Sequence, residues 1–155
     1  MGESTFTVSR STTIGAPPST VYELLSNFHN WPNWSPWEEL DPNMEREFSG
    51  AEAGEGAEYA WSGNKKAGKG RMKIIEAVTP SKVRIALSFE KPFKSENTTS
   101  FTITGQGSNS EVNWTMKGPK SIFSRVMVLF GGMDKMIGKD FEKGLANLKR
   151  EAERL

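Results

Sequence analysis

Polar and apolar side chains alternate through the first part of the chain. Phe6, Val8, Arg10, Thr12 and Ile14 share one parity, and Thr7, Ser9, Ser11 and Thr13 the other. A period of two puts successive side chains on opposite faces of an extended backbone, so a strand is predicted here. Pro17-Pro18-Ser19-Thr20 then opens a helix, because the fixed φ of proline suits a first helical turn. Val21, Leu24, Leu25 and Phe28 fall on its apolar face. Trp31-Pro-Asn-Trp34-Ser-Pro-Trp37 predicts a second short helical or turn segment, since its two prolines forbid a long helix.

From about residue 44 to 117 the pattern is strand after strand. Met44 to Ser49 alternates weakly, whereas Ala57, Tyr59 and Trp61 alternate and stop at Ser62-Gly63-Asn64, a turn sequence. Met72 and Ile74 belong to the next strand, which Thr79-Pro80-Ser81 interrupts. Val83, Ile85, Leu87 and Phe89 end at Pro92, and Thr99, Phe101 and Ile103 lead to the Gly105-Gln-Gly107 turn. Val112, Trp114 and Met116 follow, up to Gly118-Pro119. Short strands in series with hairpin-length gaps predict an antiparallel meander.

The period then changes. Phe130, Met133, Ile137, Phe141, Leu145 and Leu148 are spaced 3, 4, 4, 4 and 3, the stripe of an amphipathic helix of about five turns. Its other face interleaves Lys135, Lys139, Lys143, Lys149 and Arg150 with Asp140, Glu142, Glu151 and Glu153. Gly131-Gly132 predicts a break from a shorter helix over Ile122 to Leu129.

The economical packing of these elements is α+β: the sheet curls and the final helix lies across its concave face. Tyr59, Trp61, Met72, Phe89, Trp114 and Met116 are the inward candidates on the strands, and Met133 and Ile137 those on the helix. A strongly curved sheet need not meet its helix along the full length, so a cavity walled by these residues is expected, with Met133 as an adaptable part of the wall.

Several segments carry a specific resemblance. They are Ile14-Gly-Ala-Pro-Pro-Ser-Thr-Val-Tyr22, Trp31-Pro-Asn-Trp-Ser-Pro-Trp37, Gly54-Glu-Gly-Ala-Glu-Tyr-Ala-Trp-Ser-Gly63, Gly68-Lys-Gly-Arg-Met72 and Met133-Asp-Lys-Met-Ile-Gly-Lys-Asp-Phe-Glu-Lys-Gly-Leu145. In this order and spacing, from about residue 6 to 152, the chain resembles the polyketide cyclase/dehydrase branch of the SRPBCC (START-like) superfamily. The resemblance implies a helix-grip fold. In that fold a curved seven-stranded antiparallel sheet grips a long C-terminal helix around a hydrophobic cavity, with two short helices between the first and second strands. It does not imply one reaction, because members of the superfamily bind lipids, hormones or polyketides and only some are enzymes.

Composition narrows the chemistry. The 155 residues predict a single domain over 1–155. With 20 Lys+Arg against 19 Asp+Glu there is no basic excess of the kind that marks a dedicated nucleic-acid binder. No Cys and a single His exclude a disulfide framework, a thiol nucleophile and a multi-histidine metal site. No metal and no cofactor are expected. Met1 to Thr5 is polar and the apolar run Val126 to Phe130 is too short to cross a bilayer, so a cytoplasmic protein without a membrane span is expected.

The polar candidates are few. Arg10 shares its strand parity with Phe6, Val8 and Ile14, which points it inward, and a buried Arg needs an anionic partner. That partner is a ligand anion or an acid on a neighbouring strand, with Glu47 one candidate. Trp31, Trp34 and Trp37 plug the end of the curled sheet, stack on a ligand or meet a membrane edge, with packing the first reading, and Trp37 is retained as a wall residue. His29 lies beside them with no nucleophile and carboxylate at suitable spacing, so no catalytic residue is assigned. Glu58, Arg71, Arg84, Glu90 and Glu96 read as solvated strand faces. Lys65 to Lys73 holds five bases and no acid, but no aromatic is interleaved, so it reads as a solvated hairpin.

The function expected is binding of a small hydrophobic or aromatic, lipid- or polyketide-like ligand between sheet and helix. A polyketide cyclase or dehydratase working in the same cavity is the runner-up, with Arg10, Tyr59 or a wall Glu moving protons. A protein-interaction module is third, steered by the acidic 38–58 segment and the basic 65–73 hairpin. Monomer and homodimer both stay open.

Overall fold

The computed structural model describes residues 5–39, 41, 43–64, 68–91, 94–119 and 133–155, with the side chains of 5, 6, 37, 39, 119 and 133–137 outside that description. Among these residues seven strands follow in order: β1 (Thr5–Ile14), β2 (Glu45–Gly50), β3 (Ala57–Ser62), β4 (Lys69–Val78), β5 (Lys82–Lys91), β6 (Ser95–Gln106) and β7 (Asn109–Pro119). They form one curved antiparallel sheet in the order β1-β7-β6-β5-β4-β3-β2. The meander runs from β2 to β7, and β1 closes on β7 with Arg10 opposite Trp114 and Ile14 opposite Ser110. Helix α1 (Pro18–Ser26) and two 3₁₀ turns, Phe28–Asn33 and Pro36–Glu39, lie between β1 and β2. The final helix, α2 (Met133–Arg154), packs along β1.

Strand alternation sorts the two faces as its period requires. Val83, Ile85 and Leu87 of β5, Phe101 and Ile103 of β6, and Val112, Trp114 and Met116 of β7 are buried. Arg84, Thr102, Glu111 and Lys117 point the other way and are exposed. Arg71, Glu90 and Glu96 are also exposed, as expected of solvated strand faces, and Glu58 is partly so.

In α2 the side chains of Phe141, Leu145, Leu148 and Ala152 are sealed against the sheet. Gly144 lets the helix come this close: a Cβ there would stand 2.8 Å from the Trp114 ring and 3.0 Å from Pro36.

The structure refines three sequence expectations. The segment after α1 is two 3₁₀ turns, with Pro32 inside the first and Pro36 opening the second, because neither proline can donate to a continuing helix. Strand β6 begins at Ser95, four residues before Thr99, because the strand continues through polar side chains that carry no hydrophobic alternation. The β6–β7 loop is Gly107-Ser108, since Gln106 pairs with Asn109, and Gly107 supplies the left-handed φ of +66° at its first position. The helix expected over Ile122 to Leu129 lies outside the described residues.

The indoles of Trp31 and Trp34 have a specific structural task. A helix leaves its last carbonyls without intrahelical donors. Trp31 Nε1 donates to the Leu25 carbonyl and Trp34 Nε1 to the Leu24 carbonyl of α1, both at 3.1 Å. Asn147 of α2 donates to the Trp34 carbonyl at 3.1 Å, tying both helices to the same turn.

Candidate functional site

The inner face of the sheet has two differently built ends. At the end where α1 and the C-terminal half of α2 lie, aromatic rings fill the interior. Trp34 meets Trp114 at 5.6 Å and Phe101 at 5.9 Å, while Phe28 meets Trp31 at 5.4 Å and Tyr59 at 5.8 Å, all edge to face. Trp114 lies flat on Phe141, and its indole donates to Thr99 Oγ1 at 2.7 Å. Two of the wall residues named from sequence, Tyr59 and Trp114, therefore sit within this packed half.

Three others gather at the opposite end. Trp61 on β3 and Phe89 on β5 both stand opposite Gly70 of β4, and their rings meet edge to face above it at 5.7 Å and 85°. A Cβ at Gly70 would fall 2.7 Å from the Trp61 ring and 2.4 Å from the Ser88 carbonyl oxygen, so only glycine leaves room for the indole here. Both rings remain partly open although they lie on the inner face. Met72, opposite Tyr59 and Leu87, is buried beside them, and Met116, opposite Val8 and Thr99, is buried on β7 two residues from Trp114. The side chains of Trp37, Met133 and Ile137 lie outside the described residues.

Two polar residues of this end escaped the sequence reading. Ser95 and Asn97 are buried on the inner face of β6, opposite Phe89 and Leu87 respectively. Asn97 Nδ2 donates to Ser95 Oγ at 3.2 Å. Its Oδ1 is the one buried side-chain nitrogen or oxygen among the described residues without a hydrogen-bond partner. The signal was present in the parity, since Asn97 and Ser95 continue the series Thr99, Phe101, Ile103, but polar side chains hide that alternation.

Arg10 lies at the β1 margin, its side chain 29% exposed. Its Nε donates to Glu142 Oε2 of α2 at 3.1 Å and its Nη1 to the Ser9 carbonyl at 2.8 Å. The acid that meets it is thus on the helix, and not Glu47, because Glu47 lies on β2 at the far edge of the sheet. Gly138 makes room for the guanidinium, since a Cβ there would overlap it.

A second polar cluster joins β2, β3 and the Pro36–Glu39 turn. Tyr59 Oη donates to Glu38 Oε1 at 2.5 Å, and Arg46 reaches Glu38 Oε2 through Nε at 2.7 Å and Nη2 at 2.6 Å. Burial, then the hydrogen bond to Glu38 and its charge, push the Tyr59 pKa well above the usual tyrosine range. Burial opposes the Arg46 charge, and the bond and charge of Glu38 more than offset it, leaving the guanidinium pKa raised. A tyrosine held protonated against a carboxylate is a poor proton carrier at neutral pH. His29 is exposed, stacked on Phe48 at 4.1 Å with Nδ1 at 3.0 Å from Asn27 Oδ1.

Among the described residues no group of three His, Cys, Asp or Glu is placed to hold a metal ion. Nor is any helix among them long and apolar enough to cross a membrane.

Comparison with known proteins agrees with this architecture. Protein CV1439 from Chromobacterium violaceum superposes with a TM-score of 0.69 at 15% identity, covering 95% of this chain and 96% of that one. DynU16, from the dynemicin biosynthetic locus, gives 0.66 at 15% identity, over 95% of this chain and 47% of that one. Ara h 8.0201 gives 0.64 at 10% identity, over 98% of this chain and 100% of that one. At such identities the likeness is one of fold, the helix-grip arrangement. No curated protein matches the chain in sequence. The family model described as polyketide cyclase / dehydrase and lipid transport matches residues 5–153, from β1 to the end of α2. A match over that span, on a sheet that grips its last helix, makes the chain a member of the polyketide cyclase / dehydrase and lipid transport family.

Proposed function

We propose that this chain, as one domain, binds a small hydrophobic or aromatic ligand, lipid- or polyketide-like, between the inner face of the sheet and the N-terminal half of α2. The observation that carries this reading is the Trp61–Phe89 pair, two large rings on the inner face that stay partly open while the opposite end is filled by aromatic packing. Binding sites for small molecules are concave, mostly apolar and rich in aromatic side chains, with a few polar groups that orient the ligand. Trp61, Met72, Phe89 and Met116 form the wall, and Arg10 stands at the β1 margin. Tyr59 and Trp114 back the wall from the packed half. Family membership supports the same reading, since the family joins polyketide processing with lipid transport.

Turnover is not part of the proposal. Arg10 and Tyr59, the proton carriers considered from sequence, both hold carboxylates. Native mass spectrometry of protein purified from its own host, with uptake of the fluorophore 1-anilinonaphthalene-8-sulfonate (ANS), tests the binding reading. A discrete added mass, or saturable one-to-one uptake that a Trp61→Ala and Phe89→Ala double variant weakens, is the expected result. An unliganded mass together with no uptake by the folded protein overturns it.

A further inference from the structure

A buried polar atom without a partner is costly, because it gives up its hydrogen bonds to water and receives nothing in return. Asn97 Oδ1 is in that position: the residue is 7% exposed and the oxygen has no hydrogen-bond partner. The other end of the same amide is held, with Nδ2 donating to Ser95 Oγ at 3.2 Å. In this placement the amide turns Nδ2 to Ser95 and its carbonyl oxygen to the open end. The next polar residue along the same face, Thr99, is fully engaged, accepting from the Trp114 indole and donating to the Thr115 carbonyl. On β5, Leu87 stands directly opposite Asn97. One acceptor therefore stands unpaired on this face, beside two polar neighbours whose hydrogen bonds are made.

From this we infer that the ligand of this site carries a hydrogen-bond donor, a hydroxyl or N–H on an apolar or aromatic frame, and delivers it to Asn97 Oδ1. The inference rests on the binding reading above and adds the chemical class and the anchor residue. The apolar wall supplies affinity that is insensitive to orientation, whereas a single acceptor fixes which edge of the ligand faces β6. A hydrocarbon of the same shape would fill the space and leave Oδ1 unpaired, so the site discriminates through the penalty that a missing donor incurs. Asn97 is on this account a binding and specificity residue. Leucine at this position would improve packing stability, and its absence fits a polar atom kept for a ligand.

The test compares 2-naphthol with 2-methylnaphthalene, two probes of nearly equal shape of which only the first donates a hydrogen bond. Their dissociation constants are measured by displacement of ANS from the wild-type protein and from the Asn97→Leu and Asn97→Ala variants. The expected result is a preference for 2-naphthol over 2-methylnaphthalene that falls about fivefold to tenfold in both variants, the range set by one hydrogen bond. Leucine fills the place of the amide and alanine empties it, so a loss shared by both isolates the acceptor from sterics. Thermal melts accompany the titrations, and Asn97→Leu is expected to melt at or above the wild-type temperature. An unchanged preference in both variants, with both probes still bound, overturns the inference and leaves the binding reading intact. A preference lost in Asn97→Leu but kept in Asn97→Ala overturns it as a steric effect. Failure of the folded wild-type protein to take up ANS or either probe overturns the binding reading and this inference with it.

Discussion

The indole of Trp114 and the ring of Phe141 lie face to face, centroids 4.0 Å apart and 6° from parallel. One ring comes from β7 and the other from α2, so the stack joins the last strand to the last helix beside the close approach that Gly144 allows. Phe141→Ala removes a fully buried ring and leaves a void between two rigid elements. A loss of about 3–5 kcal/mol is expected in denaturant unfolding, with a weakened near-ultraviolet signal from Trp114. A loss below about 1 kcal/mol would show that the helix does not depend on this contact.

Gly70 is expected to tolerate no side chain. Its backbone faces the Ser88 carbonyl at a distance that no real Cβ accepts, and the Trp61 indole covers the remaining space. Gly70→Ala should destabilise by about 1–3 kcal/mol through overpacking. It should also displace Trp61 and so reduce ANS uptake, which separates it from an equally destabilising change at the packed end. Unaltered uptake in a folded Gly70→Ala protein would remove Trp61 from the wall.

The Tyr59–Glu38–Arg46 cluster gives a pH-dependent prediction. Tyr59→Phe deletes the donor to a buried carboxylate oxygen and should lower stability by about 1–3 kcal/mol at neutral pH. Because the folded pKa of Tyr59 is raised, the stability it contributes is complete below the ordinary tyrosine value of about 10. It is lost as the pH climbs from there towards the folded value. The melting temperature of the wild-type protein should therefore fall more steeply above about pH 10 than that of Tyr59→Phe. Parallel alkaline limbs would contradict this assignment.

Glu153 ties α2 to the link between β1 and α1. It accepts from the Gly15 amide at 2.7 Å and from Lys149 Nζ at 2.5 Å. The Lys149 hydrogen bond first, and the Gly15 amide second, hold its pKa below the usual carboxylate range. A depressed folded pKa contributes stability above that range, and the contribution disappears as the pH falls through it. Glu153→Gln should melt below the wild type at pH 7, and the two curves should converge as acid protonates the wild-type carboxylate. A gap that persists to about pH 2 would show that the acid charge is not what matters.

The strands were legible where apolar residues mark one face. Val83, Ile85 and Leu87, and likewise Val112, Trp114 and Met116, alternate in the sequence and are buried in the structure. Legibility failed where the inward residue is polar: Ser95 and Asn97 went unnamed because hydrophobicity, the quantity that periodicity tracks, is missing at those positions. Trp61, Met72, Phe89 and Met116 were named from their parity. Parity could not say that Trp61 and Phe89 would meet over Gly70 while Trp114 would be sealed beneath Phe141. That division depends on how far the helix follows the curved sheet.

By itself the sequence determined the order of the elements, the faces of the strands and the apolar stripe of the last helix, because these follow from periods of two and 3.6 residues within short stretches of chain. Only the tertiary structure decided the partners. Arg10 meets Glu142 and not Glu47, Tyr59 meets Glu38, the Trp31 and Trp34 indoles close the carbonyls of α1, and Asn97 keeps an oxygen free. Each of these depends on the curl of the sheet and the line of the helix across it, which arise from the packing of all the elements together. A local pattern says which way a side chain points, but it does not contain what the rest of the chain brings to meet it.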